Sequence, residues 1–242
     1  MRLREVPRHI ARTMARGLTG SSARWPLVVR ALGSVVVMGL DIHVLIADWW
    51  WLAEAPPGER LSRLREAWYA DETGLWHWDA PAVDGDWEWP QGPHRDCFAL
   101  YEFTRTCGSF KAPSWAGERW ERMRDHAEPL LRAELDTFLR ALIWGGLDGE
   151  ADHVDPGFFS DDPAVSYGVL LARSPDSVRE LATTSERIRP RLGGLRAAFD
   201  EHAAVPDGWI GEFGEFTDLL EDWHRVLAEA ARRGWGVVGL SE

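Results

Sequence analysis

The sequence predicts an α/β fold, with α+β as its near variant: a small mixed sheet covered by helices within a single domain. Three observations carry that expectation. Short apolar runs of strand character alternate with longer segments whose apolar residues recur every three to four positions. At 242 residues and 45% hydrophobic content, the chain is long enough to bury a substantial core. No run approaches the ~18 consecutive apolar residues that a membrane span requires, so no membrane association is expected.

The first 37 residues stand apart. Arg2, Arg4, Arg8, Arg12, Arg16, Arg24 and Arg30 face one acid, Glu5, which gives +6 in a chain of net charge −12 and leaves −18 on the remainder. Lys111 is the one lysine beside 26 arginines, a composition of GC-biased genomes, whose upstream frames translate into Arg-rich text. The stretch from Pro26 to Leu40 is interrupted by Arg30 and lacks the small-residue cleavage site of a secretory signal. Residues 1–37 are therefore expected to be a disordered or non-native extension, with residues 1 to about 33 making no core contacts. Met38 is the expected natural start, and 38–242 the single domain.

Within that domain the elements follow in order. Met38–Ile46 places Leu40, Ile42, Val44 and Ile46 on one face of an opening strand. Asp48 and Trp49-Trp50-Trp51 then lead to Pro56-Pro57-Gly58, a stop for any regular element. Glu59–Ala70 carries Leu61, Leu64, Ala67 and Trp68 at helical spacing, and Asp71–Asp96 reads as a loop rich in Pro, Gly and Trp. Cys97–Phe103 is compact and apolar enough for a buried strand, a helical turn being the alternative. Gly117–Leu147 reads as one long or two short helices about Pro129, the second bearing Leu130, Leu131, Leu135, Phe138, Leu139, Leu142 and Ile143 as an apolar stripe that Gly145-Gly146 closes. An acidic loop, Asp148–Asp162, precedes a strand at Val165–Ala172. Ser174-Pro175 then opens a helical run that Pro190 and Gly193-Gly194 divide. The last helix, Glu212–Arg233, has acids in its first turn and arginines in its last; Gly234 ends it, and Trp235–Leu240 makes a short strand.

Tyr167-Gly168, Ala172-Arg173-Ser174-Pro175 with Val178 opening a helix, Trp209, the helix ending Ala230-Ala231-Arg232-Arg233-Gly234 and the Val237-Val238 strand together resemble the YfbM-like family of uncharacterised bacterial proteins. Such proteins also tend to begin with Met-Gly, as at Met38-Gly39. The likeness covers residues 165–240, and the Trp-rich middle departs from it. It implies an α/β fold and a soluble bacterial protein, and it brings no catalytic residues.

The acidity opposes a protein that draws its affinity from nucleic-acid phosphates and suits a basic partner instead. Cys97 and Cys107 are too few for a disulfide scaffold, which points to two reduced thiols in a cytoplasmic protein. Asp148–Phe159 superficially has the alternating oxygens of a calcium loop, but His153 stands where glycine is required and Phe159 where glutamate is, so neither a metal nor another cofactor is expected.

The 15 tryptophans are the main anomaly. Trp68, Trp144 and Trp223 fall at helical core spacing. Trp76 with Trp78, and Trp87 with Trp89, each share a face if extended, among Asp79, Asp84, Asp86 and Glu88. Two readings stand for them: aromatics folded back as a plug for the core, or a binding surface. As a surface, Trp76, Trp78, Trp87, Trp89, Asp84 and Asp86 would engage a basic protein partner, or a small aromatic or cationic ligand, through ring faces and carboxylates. The expected function is thus a non-catalytic binding module of the immunity or antitoxin kind. Its rival is a small enzyme using Asp41, His43 or Asp48 as acid or base beside the first strand.

Overall fold

A strand with apolar residues at successive positions needs cover on both faces, and β1 (Ile42–Ala47) is such a strand. Ile42, Val44 and Ile46 enter one hydrophobic core, whereas Leu45 and Ala47 enter another on the opposite side of the sheet. The computed structural model describes residues 42–70, 86–90, 92–104, 111–142, 154–155, 157–159, 168–206 and 209–241, with only the backbone of Asp86 and Lys111. These belong to one compact unit, Gly39–Glu242. The expectation for residues 1–37 lies outside the described residues.

The sheet has five strands. With β2 at Asp86–Glu88, β3 at Phe98–Glu102, β4 at Val169–Arg173 and β5 at Gly236–Ser241, its order is β2-β3-β1-β5-β4. Every ladder between these strands is antiparallel, with Val44 opposite Tyr101 on one side and Gly239 on the other. An isolated parallel bridge, Val154 to Ala172, is added at the β4 edge. The class is therefore mixed α+β, and helices cover the sheet as expected.

The larger core lies under α3 (Lys111–Met123), α4 (Pro129–Leu142), α5 (Pro175–Ile188), α6 (Arg196–His202) and α7 (Phe213–Arg233). The smaller lies under α1 (Trp49–Ala53), α2 (Arg60–Ala70) and Phe159. No helix among the described residues is long and apolar enough to cross a membrane.

Local signals explain most boundaries. Pro129 opens α4, and the Glu128 carboxylate accepts from Leu130 N at 2.8 Å and Leu131 N at 3.0 Å, holding its carboxyl below the usual range. Ser174 caps α5, Pro175 follows it, and Arg189–Leu195 tightens into a 3-10 helix before α6. On α7 Glu212 and Glu215 form a capping box, and Gly234 ends the helix at φ +71°, a left-handed conformation suited to glycine.

Three boundaries depart from the sequence reading. The tryptophan triplet forms α1, because Asp48 Oδ1 accepts from Trp50 N at 2.9 Å and Trp51 N at 3.3 Å. Helix α3 begins at Lys111, six residues before the expected Gly117; Pro113 sits in its first turn, where the missing N–H costs no helical bond. Asp86–Glu88 is a strand instead of loop, fixed by its pairing with β3.

The cap makes a test. Asp48→Ala is expected to destabilise the protein by about 1 kcal/mol, and Asp48→Asn, which can still accept both bonds, by a few tenths. Chemical denaturation of the two variants checks this.

Candidate functional site: an aromatic edge closed over an arginine

The β2 edge gathers the rings that the sequence singled out. Trp87 pairs with Tyr101 across the β2–β3 ladder, their ring centroids 4.9 Å apart edge to face. Trp89, just past the strand, lies 5.7 Å from Trp87, and the file continues from Tyr101 to Phe103 at 5.2 Å and to Trp223 at 4.9 Å. Trp87 and Trp89 are half-buried and pack against the larger core. The shared face expected from their spacing is present, and for this pair the core-plug reading fits the packing. Trp76, Trp78, Asp84 and Trp144 lie outside the described residues, as does the side chain of Asp86. Trp68 and Trp223 are core residues.

One ring of the pair, Trp89, carries a cation from within the chain. The Arg233 guanidinium lies over the Trp89 ring, 4.1 Å from its centroid, and over the Trp235 ring at 4.9 Å. Glu229, one helical turn earlier on α7, accepts from Arg233 Nε at 2.7 Å and takes Arg232 in a two-point pair at 2.7 and 2.8 Å. Those bonds, to Arg232 first and Arg233 next, hold the Glu229 carboxyl down to about 2. Sequence reasoning missed Glu229, Arg233 and Trp235 as a site. The four-residue spacing of Glu229 and Arg233 was visible, but the rings they meet are on a distant strand end and beyond a helix cap.

Beneath the rings, α7 carries a buried carboxylate. Asp222 is 1% exposed and accepts from Tyr101 Oη at 2.8 Å, Thr104 N at 2.7 Å and Thr104 Oγ1 at 3.3 Å, with Arg225 Nη1 at 3.5 Å. Burial pushes the Asp222 carboxyl up, against the pull of those donors. Burial also raises the Tyr101 phenol well above its ordinary range, so it stays a neutral donor. This network ties α7 to β3, and through the Tyr101–Trp87 contact it fixes the aromatic edge.

Two members of the acid–base set suggested beside β1, His43 and Asp48, are among the described residues. Asp41 lies outside the described residues. His43 faces the smaller core, its ring 5.0 Å from that of Trp68. Asp48 is five residues on, roughly 16 Å along an extended strand, and its Oδ1 is engaged as the α1 cap. The same cap presents Trp50, which is 82% exposed, while Trp49 stacks on Phe158 at 3.7 Å and Trp51 lies under Arg63.

Two further constellations invite a catalytic reading and are better explained as framework. Ser185 Oγ is 2.7 Å from His224 Nδ1, joining α5 to α7, while Arg189 Nη1 is 3.0 Å from His224 Nε2. Arginine can only donate, so Nε2 accepts, Nδ1 carries the proton toward Ser185, and the hydroxyl donates onward to Ala182 O at 3.0 Å. A general base would need the opposite proton direction. Burial and Arg189 both push the His224 imidazole below its ordinary value, in keeping with a neutral ring.

A cleft of about 480 Å³ is lined by Ala133, Asp136, Thr137, Arg140, Ala141 and Arg173. Arg173 already donates to Ala141 O at 2.6 Å and to Asp155 Oδ1 at 3.1 Å, and Asp155 also accepts from Ser174 N at 2.6 Å and Ser177 Oγ at 2.9 Å. Asp155, within the acidic loop, therefore spends its oxygens on protein donors, which disfavours a calcium ligand at that residue. Among the described residues no group of three or more His, Cys, Asp or Glu is placed to hold a metal ion. In comparison with known proteins, the chain matches no family model, no curated protein and no solved structure.

Proposed function

We propose that the protein is a non-catalytic cytoplasmic binding module that recognises a basic protein partner, as immunity and antitoxin proteins do. The observation that carries this reading is the guanidinium held over Trp89 and Trp235 and bonded to Glu229. Two indole faces and a carboxylate are the chemistry that recognises an arginine or lysine side chain. The net charge of −12 supports it, because an acidic surface steers basic partners and repels nucleic acid. The likeness of residues 165–240 to the YfbM-like family is kept within this proposal, supported by the α7–Gly234–β5 ending. The enzyme reading has less support, since Asp48 is engaged as a helix cap.

Native mass spectrometry of the protein isolated from its own cells tests the proposal. A basic protein at fixed stoichiometry is expected, with its occupancy cut about tenfold, the equivalent of 1.4 kcal/mol, by Trp89→Ala. Gly193→Ala serves as a control; a methyl there meets nothing within 4 Å. A bare chain, or a partner that Trp89→Ala retains undiminished, overturns the proposal.

A further inference from the structure

The geometry points to Arg233 as a displaceable occupant of a cation site: Trp89, Trp235 and Glu229 form a cage for a partner's guanidinium that the chain's own arginine fills in the free state. This rests on the basic-partner reading and adds its regulation. Trp235 supplies a buried wall, Trp89 a half-buried one, and Glu229 the counter-charge. The occupant is on the rim, its side chain 29% exposed, in the last turn of α7 before the left-handed Gly234. Its attachments are those that exchange readily: ring-face contacts with a charged tip and one ion pair at partial exposure, each worth little in water. Glu229 need not move when Arg233 leaves, because Arg232 holds it through two bonds of its own. An incoming arginine therefore finds the carboxylate already ionised and oriented. The partner competes with a tethered copy of its own chemistry, which sets a threshold against weakly basic competitors.

The test uses the full chain with the arginine emptied out of the cage. N-acetyl-arginine amide is titrated into wild type and Arg233→Ser, and the indole N–H resonances of Trp89 and Trp235 are followed by NMR. Arg233→Ser is expected to bind the probe at least about tenfold more tightly than wild type, a difference of 1.4 kcal/mol. Arg233→Gln keeps the stem and the hydrogen bond to Glu229 without the charge and is expected to gain in the same direction, whereas Arg233→Lys stays at the wild-type level. Trp89→Leu added to Arg233→Ser abolishes the gain. Equal affinity of wild type, Arg233→Ser and Arg233→Gln overturns the inference, as does a gain that survives Trp89→Leu. The two proposals fail separately: a gain in Arg233→Ser with no basic partner in cells removes the partner and leaves the cage, and a Trp89-dependent partner with no gain removes only the self-occupation.

Discussion

Gly236→Ala is expected to lower stability by about 3 kcal/mol, which for a chain of this size corresponds to a melting temperature roughly 6 to 12 °C lower. Gly236 opens β5 opposite Ala47, in the middle of the sheet. A methyl at that position would run into the Trp49 ring and would stand 2.6 Å from the Arg173 carbonyl oxygen. Neither neighbour yields cheaply. The carbonyl belongs to strand β4, and the Trp49 indole is stacked on Phe158 at 3.7 Å and set edge-on to Phe159 at 6.4 Å. The substitution is therefore expected to expel Trp49 and loosen the helix that presents Trp50. Thermal melts and near-ultraviolet circular dichroism read both effects. Unchanged stability with an intact tryptophan signal would show that β5 can slide away from Trp49.

The second large effect is expected at Asp222. Truncation to alanine leaves Tyr101 Oη and Thr104 N without their acceptor and deprives Arg225 of its carboxylate, a loss of about 3 to 5 kcal/mol. Asp222→Asn keeps one acceptor oxygen and is expected to cost less than alanine. The two variants also differ from wild type in pH dependence. A carboxyl raised above its ordinary 3.8 binds its proton more tightly in the folded state than in the unfolded one. Its contribution to stability is thus fully present below about 3.8 and lost as pH rises through the elevated folded value. Asp222→Asn is expected to remove that component, which denaturation curves across the acidic range will reveal as a flatter profile. An unaltered profile would place the titration elsewhere.

Much of this fold is legible in the residues, and the gaps have physical causes. Helices α2, α4 and α7 are long enough for their apolar stripes to show, and Ser174-Pro175 and Gly234 mark ends that the structure keeps. Helix α1 is one turn of tryptophans whose single local signal is the Asp48 cap, so composition overshadowed it. Strand β2 is three residues long and owes its existence to Tyr101 and its neighbours on β3, a partner that no local window contains. The site divides in the same way. The two-residue spacing of Trp87 and Trp89 told of a shared face, with a bound cation as one reading of it. That the cation would be Arg233, brought from the far end of α7, depends on a tertiary approach that periodicity does not encode. Asp48 shows the reverse: a carboxylate that looked available for proton transfer is explained by the two backbone N–H groups it receives.

The strand order has a kinetic consequence. β1 and β5 are partners at the centre of the sheet, with Ile42 opposite Ser241, so the two edges, β2–β3 and β4, are joined through the first and the last of the described strands. During synthesis β1 emerges before β5 and keeps one edge unpaired until β5 has left the ribosome. Sheet closure is therefore a late, long-range event of the kind that slows folding, and the waiting chain exposes an unpaired, strongly apolar strand. The interval before β5 arrives leaves this apolar strand open to aggregation, and gives a chaperone something to protect.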